Sequence, residues 1–304
     1  MDATSTSDRR FYHWLISLVK EQRGNVALFV LCALVSRVIA SFIFPTYDDA
    51  YITYRYAWML VNHGQFVYNL NDWVLGTTAP LFALFQSVFV ALSIPNDVGT
   101  MVWNAGMDIL IVLMLLFLCE QQGAHRMRSW SVLSLMMFLQ PSLARISVGG
   151  MEVNTFAAMS LLAIIMFRED RAVLASIVCS VAYFLRPESV VLLGIIGISL
   201  LVQRRYGELT KAIAASVATV IVPFIVMIAF YSSFLPQSVL AKSHNIHRPL
   251  SLTLAKFMAP EPVTAIMVVT CIAGVIVTMR RTRLEHASLQ VIGTAVLTLV
   301  VYAV

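Results

Sequence analysis

Long runs of apolar residues, separated by short polar segments, make up most of this chain. They lie at about residues 26–45, 79–94, 100–119, 130–147, 154–167, 172–185, 189–202, 212–231, 261–279 and 287–304. A bilayer core about 30 Å thick needs roughly 20 apolar residues per crossing, and runs without strand-like alternation are typical of helices. The pattern therefore predicts an all-α integral membrane protein.

Composition strengthens this prediction. The 304 residues are 59% hydrophobic and 12% charged, whereas a soluble domain carries about a quarter charged residues. This excludes a soluble enzyme. Residues 1–25 are polar and basic and lack the short apolar stretch of a signal peptide, so we expect a cytoplasmic N-terminal segment followed by a transmembrane domain over 26–304.

The distribution of basic residues predicts the orientation in the membrane. Most of the 21 Lys and Arg residues cluster between apolar runs, which is an orientation signal rather than a sign of nucleic-acid binding. All large clusters face the cytoplasm if the N-terminus is inside and the run 79–94 lies on or dips into the outer membrane surface. This predicts about nine spans, with a long first extracytoplasmic loop over 46–99.

Two charged residues fall inside predicted spans. Arg37 and Asp108 lie at similar depths in the first and second spans. Buried charges seek partners, so the sequence predicts an intramembrane ion pair. Snorkelling of Arg37 to the membrane surface is the simpler alternative.

The predicted orientation collects several polar groups on the outer face. Asp48 and Asp49 open the first loop, Glu152 ends the turn 147–152, Arg186–Glu188 forms a later turn, and Lys242 ends the segment 235–242. A carboxylate can accept a proton from an attacking hydroxyl, while Arg and Lys can bind a phosphate and stabilise charge on it as it leaves. The combination favours group transfer from an anionic lipid carrier.

Each group also has a simpler interpretation. Asp48 and Asp49 could be solvated loop residues, and Glu152 could interact with the dipole of the helix that follows it. Arg186 and Lys242 could contact lipid headgroups. Their convergence on one face is harder to explain in this way, because polar groups at membrane depth are costly.

The motifs themselves resemble those of a known family. The segment Tyr47-Asp48-Asp49-Ala50-Tyr51-Ile52-Thr53-Tyr54-Arg55-Tyr56-Ala57, Gly76–Pro80, Gly150-Met151-Glu152, Arg186-Pro187-Glu188 and the segment from Leu235 to Lys242 follow in order. Together they resemble GT-C fold glycosyltransferases, most closely the mycobacterial terminal arabinofuranosyltransferase type. The resemblance covers about residues 30–245 and implies a GT-C-like helical bundle with juxtamembrane helices in its first loop.

The family implies a function and roles for particular residues. A sugar, either a pentose such as arabinofuranose or a hexose, would move with inversion from a polyprenyl-phosphate donor to a glycan or protein acceptor outside the cytoplasmic membrane. Asp48, in preference to Asp49, would be the base, and Arg186 and Lys242 would bind the donor phosphate. The expected substrate-binding residues are Tyr51, Arg55, Glu152, Glu188 and His244. Asp49 and Glu152 could also hold a divalent cation such as Mg, Mn or Ca.

The resemblance is incomplete, and two other classes of function stay open. The chain ends at Val304 within an apolar run, without the additional spans and outer soluble domain of many relatives, and Gln237 replaces a frequent Asn. A polytopic transporter or lipid-linked-sugar flippase would use Arg37 and Asp108 as pathway residues. A noncatalytic assembly subunit is the third class.

Cysteine accessibility tests the predicted orientation. Single cysteines introduced between Arg204 and Lys211 should react with a membrane-impermeant maleimide only after the cells are permeabilised, because this basic segment is predicted to face the cytoplasm. Labelling of the same positions in intact cells would contradict the nine-span arrangement.

Overall fold

The computed structural model describes residues 11–121, 130, 134 and 141–232. Its helices are α1 Phe11–Glu21, α2 Arg23–Ile43, α3 Asp48–His63, α4 Pro80–Ala91, α5 Asn96–Gln121, α6 Pro141–Val148, α7 Val153–Arg168, α8 Ala172–Ala182, α9 Ser189–Val202 and α10 Tyr206–Tyr231. The predicted all-α class is confirmed for this part of the chain, where one isolated bridge joins Asn69 to Asp72. The predicted runs 261–279 and 287–304 lie outside the described residues.

The ends of the first-loop helices follow local sequence signals. Asp48 and Asp49 occupy the first turn of α3, where negative charge complements the helix dipole. Gly64 ends α3 with φ +67°, and its N–H donates to the Leu60 carbonyl over 3.0 Å; glycine adopts this left-handed conformation at little cost. Pro80 begins α4, where its missing N–H leaves no helical hydrogen bond unmade.

One end of the bundle, here called the N-terminal face, gathers α1 and the loops 168–171 and 202–206. Three contacts define it: Phe11 N to Glu169 Oε1 at 2.7 Å, Trp14 Nε1 to Glu120 Oε2 at 2.9 Å, and Arg205 Nη1 to Asp170 Oδ1 at 3.0 Å. The segments of the predicted cytoplasmic side that the structure describes therefore meet at one end of the molecule.

The opposite end, here called the loop face, gathers the predicted outer segments. Its defining contacts are Tyr47 N to Gly149 O at 2.9 Å, Leu81 N to Phe184 O at 3.0 Å, and Tyr231 Oη to Phe66 O at 2.6 Å. The helices α5 and α7 run from this face to the N-terminal face, and α2, α8 and α10 run the other way. The described segments thus fall into two groups at opposite ends of these helices, and the side of the membrane that each group faces stays a prediction.

The helices differ in their capacity to cross a bilayer. Among the described residues, α2, α5 and α10 are long and apolar enough to do so, whereas α4, α7, α8 and α9 are apolar but shorter. The 12 residues of α4 extend about 18 Å at 1.5 Å per residue, well short of a bilayer core. The chain is thus a helical protein with candidate membrane helices, and the number of nine spans stays a prediction.

Small side chains allow the central helices to pack closely. The face of α8 that contacts α7, α9 and α10 carries Ala175, Ser176 and Cys179, all of them buried. Small residues let helix backbones approach each other, which is the common mode of association in membranes. Cys179 is a buried free thiol.

A buried ion pair connects three helices just below the loop face. Arg37 of α2 contacts Asp108 Oδ2 of α5 through Nε at 3.0 Å and Nη2 at 2.9 Å, and Asn154 of α7 donates to Asp108 Oδ1 over 2.6 Å. Arg37 is 1% exposed and Asp108 7% exposed. The predicted pairing of Arg37 with Asp108 is confirmed, and snorkelling of Arg37 is not observed.

Removal of one partner tests the energetic role of this pair. Asp108→Leu should lower the unfolding temperature of the detergent-solubilised protein substantially, because a lone buried charge costs about 3–5 kcal/mol. The double variant Arg37→Met/Asp108→Leu should recover much of the loss, since an apolar pair needs no compensating charge. A double variant no more stable than Asp108→Leu would contradict this account.

Candidate functional site

The first turn of α3 is fastened to the turn between α6 and α7. Tyr47, the residue before α3, donates its N–H to the Gly149 carbonyl over 2.9 Å. Asp48 and Asp49 follow immediately, and both are exposed. This contact brings the predicted first-loop acids to the turn that carries Glu152, although the two segments are a hundred positions apart in sequence.

Two glycines make this close approach possible. At Gly149, a Cβ atom would clash with the ring of Tyr47. At Gly150, which has φ +84°, a Cβ would lie 2.5 Å from the Tyr54 hydroxyl and 2.9 Å from the Ala50 Cβ. Any larger residue would push α3 away from the turn, and at Gly150 it would also adopt a left-handed backbone conformation that disfavours side chains.

Asn104 of α5 holds the same turn from the interior of the bundle. Its side-chain amide lies within α5, is completely buried, and donates to the carbonyls of Ser147 at 3.0 Å and Met151 at 3.1 Å. Buried carbonyls that find such donors avoid the cost of desolvation without a partner. The turn is therefore fixed on both sides, by α3 above and by α5 below.

Glu152 and the later turn form a second charged group. Arg186 contacts Glu152 Oε1 through Nη1 at 3.3 Å and Glu188 Oε1 through Nη2 at 3.2 Å. Glu152 is 3% exposed and Arg186 9% exposed. The structure thus brings together Glu152, Arg186 and Glu188, as predicted, but it places the guanidinium between two carboxylates.

Burial and neighbouring charges act in opposite directions on Glu152. Burial raises the pKa of the Glu152 carboxyl above its ordinary value, and the Arg186 guanidinium offsets part of that rise. The negative charges of Glu188 and Asp49 raise the pKa of Glu152 further. Asp49 therefore lies near enough to Glu152 for its charge to act on that carboxyl.

The other predicted residues of α3 lie along the loop face. Tyr51 is exposed and packs edge-to-face on Tyr54, with 5.7 Å between ring centroids. Arg55 is also exposed; it donates through Nε to the Tyr68 carbonyl at 3.0 Å and stacks on Trp58. Both side chains are accessible to a ligand arriving at this face.

Tyr54 connects α3 to the bundle rather than to solvent. Its hydroxyl donates to Thr100 Oγ1 over 3.3 Å, and Gln86 of α4 donates to the same oxygen over 2.6 Å. Burial raises the pKa of Tyr54 to about 12, so the hydroxyl keeps its proton even at alkaline pH. This network fixes the α3 segment that carries Asp48 against α4 and α5.

Two predicted site residues, Lys242 and His244, lie outside the described residues. The predicted divalent cation has no ready ligand set in the described part, where no group of three His, Cys, Asp or Glu side chains could hold a metal. Of the two suggested ligands, Glu152 is engaged by Arg186 at 3.3 Å. The cation on Asp49 and Glu152 stays a prediction.

The structure adds one cation to this site that the sequence did not single out. Arg145, in the last turn of α6, lies over the ring of Tyr47, with its Cζ 5.4 Å from the ring centroid. The sequence does contain a signal for Arg145, because a charged residue inside the apolar run 130–147 is unusual. Only the fold shows that this position contacts the residue preceding Asp48.

Comparison with known proteins neither extends nor contradicts these observations. No protein-family model matches the chain, and no curated protein or solved structure is significantly similar to it. The resemblance to GT-C glycosyltransferases stays a prediction based on the motifs in the sequence.

Substitution of Gly150 tests the junction between α3 and the turn. Gly150→Ala should lower the unfolding temperature by several degrees, because the new methyl group meets Tyr54 and Ala50 and the left-handed backbone costs roughly 1–2 kcal/mol. Gly106→Ala is the matched control, since a Cβ there has no neighbour within 4 Å. Equal stability of the two variants would contradict the proposed junction.

Proposed function

We propose that this chain is a membrane glycosyltransferase of the GT-C type. It moves a pentose or hexose from a polyprenyl-phosphate donor to a hydroxyl group of a glycan or protein acceptor, with inversion at the anomeric carbon. The reaction takes place on the loop face, which is the extracytoplasmic side of the inner membrane in this proposal and serves cell-envelope glycan or glycoprotein synthesis.

The observation that carries the proposal is the contact between Tyr47 and Gly149. It joins a pair of exposed aspartates to the turn that carries the buried Glu152, which pairs with Arg186 of a later turn. A solvated pair of loop acids requires no such contact. A site for lipid-linked sugars requires carboxylates and cations together at the membrane surface, because it must take up a proton and stabilise a phosphate.

The proposed step is a single displacement. The acceptor oxygen attacks the anomeric carbon and forms the new glycosidic bond, while the bond from that carbon to the phosphate oxygen breaks. The acceptor proton passes to Asp48, and the bonding electrons leave with polyprenyl phosphate, which gains one negative charge. Attack opposite the leaving group inverts the anomeric configuration.

The neighbouring residues have supporting roles in this proposal. Asp48 precedes Asp49 at the open start of α3 and is the preferred base, since its exposed carboxylate can meet an acceptor arriving from outside. Glu152, fixed by Arg186, orients donor or acceptor hydroxyls together with Glu188. Lys242 and Arg186 bind the donor phosphate, and Tyr51, Arg55 and His244 contact the sugar or the acceptor.

The transporter alternative rests on the charges inside the bundle. A pathway through Arg37 and Asp108 would need both groups to exchange partners with a solute. Instead they pair with each other, and Asn154 donates to the second Asp108 oxygen over 2.6 Å. Their position between three helices fits a structural role, so the glycosyltransferase is the better-supported function.

The aspartates supply the sharpest test. Purified protein in nanodiscs should transfer sugar from a synthetic polyprenyl-phospho-pentose or polyprenyl-phospho-hexose. Asp48→Asn should reduce kcat by roughly 10²- to 10⁴-fold, the usual contribution of a general base. Its unfolding temperature should change little, because Asp48 is exposed.

Two further variants complete the test. Asp49→Asn establishes which acid accepts the proton, and Asp72→Asn is the control, an exposed loop acid outside the proposed site. Normal transfer by both the Asp48 and the Asp49 variants would show that the base is another residue. Absence of transfer by the unmodified protein with either class of donor would refute the proposed function.

A further inference from the structure

Arg145 occupies an unusual place on the loop face. It belongs to the last turn of α6, it is exposed, and its guanidinium lies over the Tyr47 ring at 5.4 Å from Cζ to the centroid. Tyr47 is the residue before Asp48. The cation therefore lies beside the start of α3, where the proposed base is.

The ring beneath Arg145 is itself fixed. Tyr47 is held by the hydrogen bond from its N–H to Gly149 O, and its ring fills the space that a Cβ of Gly149 would occupy. Arg145 and Gly149 are four residues apart at the end of α6, so they lie near each other on one side of the helix end. The tyrosine ring is thus held between the glycine backbone and the guanidinium.

The charge of Arg145 is not cancelled by a described carboxylate. Among the described residues, the acid partners of the arginines are Asp108 for Arg37, Glu152 and Glu188 for Arg186, and Asp170 and Glu208 for Arg205. No described acid forms an ion pair with Arg145. An aromatic ring attracts the cation but leaves the in-plane N–H groups of the guanidinium available to an anion.

This contrast matters for a leaving phosphate. A cation stabilises developing negative charge best when no fixed anion already neutralises it. Arg186 is flanked by two carboxylates and is nearly buried, whereas Arg145 is exposed and has five N–H donors in a planar fork suited to phosphate oxygens. Arg145 is therefore the described arginine best prepared to receive a phosphate beside Asp48.

We infer that Arg145, supported by the ring of Tyr47, binds the phosphate of the lipid-linked donor and of the polyprenyl phosphate product. This inference rests on the proposed function, because that function supplies the ligand. The same chemistry would attract the phosphate of an ordinary anionic lipid headgroup, so the experiment must separate the two sources.

Binding rather than transfer tests this role. The protein is placed in phosphatidylcholine nanodiscs, and the Kd of a fluorescent short-chain polyprenyl monophosphate is measured. Arg145→Gln should weaken binding by at least roughly tenfold, the effect expected for loss of a hydrogen bond to a charged group. Arg145→Lys should retain an intermediate affinity, since it keeps the charge but loses the fork. Arg171→Gln, an exposed arginine near the N-terminal face, should bind normally.

Tyr47→Leu provides an independent variant. It removes the ring under Arg145 but keeps the backbone N–H that bonds Gly149 O, so the junction with the turn is retained. It should weaken polyprenyl phosphate binding less than Arg145→Gln does. Unchanged unfolding temperatures of the Arg145 variants would show that altered binding does not arise from misfolding.

The remaining outcomes separate the inference from the proposed function. Normal affinity of Arg145→Gln, with sugar transfer by the unmodified protein intact, would overturn the role of Arg145 and leave the proposed function standing. Competition by phosphatidylglycerol at equal molar ratio would assign Arg145 to lipid headgroups and would likewise overturn its role in donor binding. Absence of both polyprenyl phosphate binding and sugar transfer in the unmodified protein would refute the proposed function itself.

Discussion

The carboxylate of Asp108 connects the helices on which the loop face is built. One of its oxygens pairs with Arg37 and the other accepts a hydrogen bond from Asn154. The carboxylate on α5 therefore joins α2 and α7. Such a pair is specific because each charge needs the other once both leave water. Asn154 lies two residues after Glu152, and Asn104 on α5 bonds the preceding turn. The position of Glu152 therefore follows from polar contacts below the site.

The charges on the loop face divide into compensated and open groups. Arg186 is enclosed by Glu152 and Glu188, and this arrangement holds one turn of the chain to another. Asp48, Asp49 and Arg145 are exposed at the loop face. Compensated charges maintain geometry at modest net gain, whereas open charges can respond to a ligand. The candidate site thus combines a group of paired charges, which is fixed in place, with exposed charged residues that a ligand can reach.

The sequence predicted the helical class and the pairing of Arg37 with Asp108, because apolar runs and isolated charges within them are strong local signals. The helices within the first loop were expected from the resemblance to GT-C enzymes and from the apolar run 79–94. The sequence also grouped Glu152, Arg186 and Glu188 through orientation alone. The enclosure of Arg186 by two acids and the stacking of Arg145 on Tyr47 could not be predicted. Both depend on how turns distant in sequence pack against one another. The local sequence around an arginine does not indicate which of these residues it will contact.

The contact between Tyr47 and Gly149 also constrains how the protein is made. When the first loop leaves the ribosome, the glycines against which it packs are still about a hundred residues from being synthesised. Until α6 and α7 are synthesised, α3 can pack on α4 and α5 through Tyr54, but Tyr47 has no turn to bond and the neighbouring acids lack the residues of that turn. The loop face is consequently completed late in folding, so a translation product truncated before residue 149 would carry the proposed base without the turn that meets it.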